Sequence, residues 1–254
     1  MQGKTHETIV SQQFGPQAEA YLASPVHAQG EDLAQLARIV GGRQHSVALD
    51  LGCGGGHVSF LIAPKVQKAF AYDLSEPMVE IVRAEALRRG LNNLEAVQGS
   101  VERLPWPDHS FDLVTTRYSA HHWHDVDAAL LEARRVLRPG GLMVVMDVVA
   151  PEHPLLDNWL QCLELLRDTS HVRDYSVEEW RAKFESAGFR PSTASRFRLR
   201  LEFLSWVERI GAPVLHREAI RSLQSRAGAQ VSGHFALEPD GSFTIDTMLM
   251  TAEV

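Results

Sequence analysis

Two cysteines in 254 residues, Cys53 and Cys162, are too few for a disulfide framework or a cysteine-rich zinc site. No apolar run approaches the roughly 18 residues that a membrane-spanning helix requires, and no internal repeat or low-complexity tract is present. Excess basic charge is missing as well. The formal net charge of -7 removes any general pull toward nucleic acid or an anionic membrane. The opening Met1-Gln-Gly-Lys-Thr-His-Glu lacks an apolar secretory segment, so a cytoplasmic location is expected. What is there is globular: 44% hydrophobic and 22% charged residues, on a length that suits one large α/β domain with a sizeable core.

The stretch from Val47 to His57 carries the strongest signal. Val47-Ala-Leu-Asp-Leu51 reads as a strand covered on both faces, with Asp50 near its carboxyl end. Gly52, Gly54, Gly55 and Gly56 then turn the chain into a helix and allow close approach of backbone to a ligand. A dinucleotide fingerprint would need a third glycine where this chain has His57. The spacing is instead Asp50-x-Gly52-x-Gly54-x-Gly56, and a ligand with an ammonium and no pyrophosphate suits an acid there. That weighs against a nicotinamide-dependent oxidoreductase.

Alternation of strand and helix patterns continues along the chain. A helix is predicted from about Asp32 to Val40, stopped by Gly41 and Gly42. Lys68–Tyr72 reads as the second strand, ending at Asp73, which lies 23 positions after Asp50 and so at the next strand tip of a βαβ unit. An acid there accepts hydrogen bonds from both hydroxyls of a ribose. Ser75 is expected to cap the following helix, whose inner face carries Met78, Ile81, Val82 and Ala86. Leu94–Val97 and Phe111–Thr116 are the third and fourth strands, and the fourth delivers Arg117-Tyr-Ser-Ala-His-His-Trp-His124 to the same sheet edge. Asp125 caps a helix that ends at Arg138-Pro-Gly-Gly141, and Leu142–Val149 is a buried fifth strand. Ser176 and Glu179 form a capping box, a sixth strand lies within 193–201, helices fill 202–227, and a last strand spans about 242–251. His121 and His124 have metal-ligand spacing, but no third ligand accompanies them at matching spacing, so no metal is expected.

Together the Asp50–Gly56 motif, Ala120-His121-His122 and Val136-Leu-Arg-Pro-Gly-Gly141 resemble the class I S-adenosylmethionine-dependent methyltransferases. The match, over about residues 45–150, is to the ubiquinone/menaquinone C-methyltransferase-like (methyltransferase type 11) group. The resemblance implies a Rossmann-like, seven-stranded, mostly parallel sheet whose last strand is antiparallel between the fifth and sixth. It divides one domain, 1–254, into an N-terminal helical lid (1–46), a cofactor-binding core (47–150) and a C-terminal half (151–254). The helices of about 202–227 then cap the acceptor pocket.

It further implies S-adenosylmethionine as cofactor, held by Tyr21, Asp50, Gly52, Cys53, Gly54, Gly56, Asp73, Leu74, Met78, Ser100, Val101, Glu102 and Arg117. Phe14 and Tyr21 belong to the lid, and an aromatic face attracts a sulfonium. The family places an aspartate where this chain has Ser100, which leaves a weaker or water-mediated contact to adenine. Arg117 is expected on the cofactor's carboxylate or on an acidic substrate.

Methyl transfer requires alignment and desolvation, and a base only where the acceptor loses a proton. Tyr118, His121, His122 and His171 are the catalytic candidates, with Arg117, Trp123 and Tyr175 as positioning groups. The expected reaction is methylation of a small aromatic, quinone-like or heterocyclic acceptor. The alternative is a non-catalytic sensor of the cofactor or its demethylated product. A nucleic-acid substrate is disfavoured by net charge and by the lack of an Asn/Asp-Pro-Pro-Tyr element after the fourth strand.

Overall fold

The computed structural model describes residues 3–24 and 28–254. Its centre is the predicted strand β1 (Val47–Leu51), buried on both faces and flanked by parallel neighbours β2 (Lys68–Asp73) and β4 (Phe111–Arg117). With β3 (Leu94–Gln98), β5 (Leu137–Val148), β6 (Arg190–Pro191), β7 (Ser195–Leu201) and β8 (Phe243–Glu253), the order is β3-β2-β1-β4-β5-β8-β6, and β7 also pairs with β8. β8 runs antiparallel between β5 and the pair β6/β7, as the family resemblance implied.

Eight strands replace the seven expected because the sixth is interrupted. Pro191 pairs with Ala252 and Ser195 with Leu249, so one extra residue is accommodated between β6 and β7. β5 also begins earlier than expected. Leu137 already pairs with Phe111, and pairing resumes at Leu142 with Leu113, so Arg138-Pro-Gly-Gly141 is an excursion within a strand instead of a stop before it.

Of the three helix N-caps expected from the sequence at Ser75, Asp125 and Ser176, two form. Asp125 accepts from the amide of Ala128 at the start of helix Val126–Val136, and Ser176 and Glu179 form the reciprocal capping box of helix Val177–Ser186. Ser75 stands at the N-cap of helix Glu76–Arg88 but makes no capping bond; its amide instead donates to Asp73 Oδ1 at 2.9 Å.

Helices Phe203–Arg209, Val214–Ser225 and Ala229–His234 make up the insertion, which reaches seven residues further than its predicted end at 227. They pack on helix Pro154–Arg167 through a core containing Trp206, Ile220, Phe235 and Phe243, where Trp159 stacks on Phe235 at 4.5 Å. Among the described residues no helix is long and apolar enough to cross a membrane.

Candidate functional site

The sheet order reverses between β1 and β4, and at such a switch point the carboxyl ends of parallel strands leave a crevice. Here it holds a cleft of about 980 Å³, part of it open to solvent. One wall is the glycine turn after β1 together with Asp73, Leu74, Ser100, Val101 and Glu102 from the ends of β2 and β3 and Met78 from helix Glu76–Arg88. The opposite wall comes from the first helix (His6–Phe14), Tyr21, and the loop after β4, with Arg117, Tyr118, Ser119, His122, Trp123 and His124.

Backbone conformation shapes the first wall. Gly54 has φ +50° and no atom within 4 Å of where a Cβ would stand, so a side chain there would project into space that the turn leaves clear. Gly52, at φ +62°, has Ser119 Oγ only 1.8 Å from its would-be Cβ, which lets the loop after β4 close against the turn. Asp73 fastens the turn by accepting from the Gly54 amide at 2.8 Å as well as from Ser75, and burial raises its pKa. Ser100 donates to Glu102 Oε2 at 3.1 Å, so its hydroxyl is already engaged.

Three expected cofactor contacts are placed differently. Asp50 does not line the cleft: it lies beneath the turn, 1% exposed, accepting from Ser59 Oγ at 2.6 Å and Thr115 Oγ1 at 3.2 Å. Burial pushes its carboxyl up to about 7, against the pull of those hydroxyls. Gly56 does not line it either; a Cβ there would meet the Phe60 ring at 2.8 Å and Val82 at 2.9 Å, so this glycine serves the packing of helix on helix. Arg117 does reach the cleft, but its guanidinium is committed to Asp32, with Nε to Oδ2 at 2.5 Å and both side chains 5% exposed.

The second wall gathers the chemistry. His122 faces the cleft, with Phe14 edge-on at 4.8 Å and its carbonyl bonded to His6 Nε2 at 2.8 Å. Burial and the adjacent His121 pull His122 down to about 3. Tyr118 lines the same wall in the left-handed region, φ +50°, a strained conformation that turns its ring under the Arg117 guanidinium at 4.4 Å. Burial pushes its hydroxyl up to about 12. Tyr21 stands beside Phe14 at 5.5 Å, and its hydroxyl meets Arg167 and Arg209, the latter on the insertion.

His121 and His171, the remaining catalytic candidates, do not line the cleft. They lie behind His122, with ring centroids 4.2 and 6.5 Å from it. Burial works against the charge on His121, yet Asp147 at 2.7 Å holds it up to about 9, while His171 is pulled down to about 2 by burial and the neighbouring imidazoles. His124, paired with His121 on the sequence, lies instead against His6, at 5.9 Å. Trp123 lines the cleft, donating to Ser119 Oγ at 3.1 Å; Tyr175 packs away from it on Trp180. The helical insertion contributes no lining residue, so it packs behind Tyr21 and the N-terminal helix instead of roofing the cleft. His57, read on the sequence only as the place of a missing glycine, also lines the cleft; His6, Glu7 and Val10 are lining residues that the sequence did not single out, since no local pattern ties residue 6 to residue 122.

Comparison with known proteins agrees with this geometry. Residues 49–145 match the family model described as a methyltransferase domain. The chain is 46% identical over 201 residues to the uncharacterized protein YafE of Escherichia coli, covering 79% of this chain and 97% of that one. It is 36% identical to the uncharacterized methyltransferase YcgJ of Bacillus subtilis, covering 88% of each. The crystal structure of YcgJ superposes with a TM-score of 0.84, at 33% identity, over 88% of this chain and 97% of that one. A shorter match, 33% identical over 123 residues, joins 46% of this chain to 49% of the ubiquinone/menaquinone biosynthesis C-methyltransferase UbiE of a Shewanella strain.

Proposed function

Since the chain belongs to the S-adenosylmethionine-dependent methyltransferases, we propose that its cleft methylates a small aromatic, quinone-like or heterocyclic acceptor, with His122 facing the reacting atom. The observation that carries this reading is that one cavity joins the glycine turn and Asp73 to an aromatic and imidazole wall.

The donor set suits the cofactor. A turn left clear at Gly54, a strand-end carboxylate at Asp73, and apolar surface from Leu74, Met78 and Val101 match an adenosyl group with a ribose and no pyrophosphate. When bound, S-adenosylmethionine supplies a methyl group from its sulfonium. Asp73 accepts the ribose hydroxyls with lone pairs left over from Gly54 and Ser75, and Ser100 with Glu102 contacts the base. Gly52 and Cys53 would hold the amino acid end above the Asp50 carboxyl; Arg117 would act on a ligand carboxylate only in addition to Asp32.

Phe14, Tyr21, Tyr118 and Trp123 present flat, largely apolar surface, which aligns a planar acceptor and keeps water from it. An acceptor hydroxyl or activated C–H becomes strongly acidic as the new bond to carbon forms, so a weak base suffices to take the proton, and of the three candidate histidines His121, His122 and His171 it is His122 that lines the cleft. His121 and His171 support His122 and do not touch the acceptor.

Labelled methyl transfer from S-adenosylmethionine to a panel of small phenols, quinols and heterocycles tests the reading. Transfer to at least one of these, lost in His122→Ala, is expected. Transfer confined to a polymer such as RNA would overturn the small-molecule assignment.

A further inference from the structure

We propose that His121, Asp147 and Asp174 bind one divalent transition-metal ion in a buried site behind the cleft. Each residue offers one ligand atom, and these atoms lie within 4.8 Å of one another. His121 Nδ1 is 2.7 Å from Asp147 Oδ1 and 3.9 Å from Asp174 Oδ1. Those separations bracket the edge of about 3.4 Å that two N/O donors span across a tetrahedral ion with bonds of roughly 2.1 Å.

A second observation points to a ligand. The Asp174 carboxylate is 1% exposed, and neither oxygen has a hydrogen-bond partner. Its main chain, in contrast, is clamped by Gln161, which accepts from the Asp174 amide at 3.1 Å and donates to its carbonyl at 2.8 Å. A carboxylate held rigidly in the interior with no donor on either oxygen costs stability unless a cation faces it.

The surroundings are built to support an ion. Asp147 is oriented toward His121 by the amides of Ala120 at 3.1 Å and Val148 at 2.8 Å, the outer-shell arrangement that fixes metal-ligating carboxylates. Glu164 and Asp168 are buried nearby, so with Asp147 and Asp174 four buried carboxylates face two guanidinium groups that are already engaged, Arg167 with Glu164 at 3.5 Å and Arg173 with Asp157 at 3.0 Å and Glu179 at 3.1 Å. One imidazole with two carboxylates and no thiolate selects a zinc- or manganese-like ion over copper(I). None of the three residues lines the cleft, so the ion would take the place of the proton shared by His121 and Asp147 and fasten three segments behind His122: the loop after β4, the end of β5 and the loop before Ser176.

The test is calorimetric titration of the full, chelator-stripped chain with zinc chloride. One ion per chain is expected, with affinity reduced roughly 100-fold or more in Asp174→Asn and unchanged in His234→Ala, which alters a surface histidine paired with Asp246 at 3.6 Å. Zinc-edge X-ray absorption on the unmutated chain needs no variant: a shell of nitrogen and oxygen with a single imidazole is expected. Failure to bind one ion per chain, unchanged binding in a folded Asp174→Asn, or a shell with sulfur or several imidazoles would overturn the site.

Discussion

The two walls of the cleft are made in different ways. The glycine turn and Asp73 form within one βαβ unit, and their geometry is set by backbone: positive φ at Gly52 and Gly54, and amides of Gly54 and Ser75 on one carboxylate. The histidine wall is assembled over long sequence distances, with His6 bonded to the carbonyl of His122 and Arg117 to Asp32. A local backbone device suits a ligand that is always the same, and a side-chain wall suits one that varies. On the proposed function, cofactor binding and acceptor chemistry should therefore separate when either wall is altered.

The largest effect is expected on the histidine wall. His122→Ala should lower turnover roughly 10²–10⁴-fold while calorimetry shows affinity for the demethylated cofactor within about 3-fold of the parent; comparable losses in both would erase the distinction between the walls. Asp73→Ala should do the reverse, weakening cofactor affinity by roughly 100-fold, because it removes the proposed ribose acceptor and leaves two amides of the turn without their partner.

Asp50 sharpens the comparison from beneath the turn. Its native pKa, about 7, exceeds the unfolded value near 3.9, so the folded chain holds the extra proton between those values. Its contribution to stability is therefore fully present below about pH 4 and lost as pH rises through 7. Asp50→Asn should remove a fall on the order of 2 kcal/mol between pH 5 and pH 8 in denaturant titrations; an unchanged pH slope would show that Asp50 is ionised without cost. Ser176→Ala, remote from the glycine turn, should cost about 1 kcal/mol through the capping box and leave cofactor affinity untouched.

How much could be read from the chain follows the same division. Val47–Leu51, Gly52, Gly54 and Asp73 were legible because glycine placement and an acid at a strand tip are local constraints. The antiparallel last strand followed from the family resemblance. Asp50, Gly56 and Arg117 were identified as ligand contacts, but their surroundings are Ser59, Phe60 and Asp32, partners whose orientation only the packed structure supplies. Of the four catalytic candidates, Tyr118 and His122 reach the cleft and His121 and His171 do not, since adjacent residues in an irregular loop point to different sides. Asp147 and Asp174 carried no sequence signal: one ends a buried strand and the other lies in a loop, and only folding brings them to His121.

The most direct test is a crystal structure of the complex with S-adenosylhomocysteine. Ribose hydroxyls are expected on Asp73, backbone of the Gly52–Gly54 turn against the amino acid end, and the sulfur facing the space bounded by Phe14, Tyr118 and His122. A ligand seated with its sulfur turned away from His122, or bound outside this cleft, would contradict that placement.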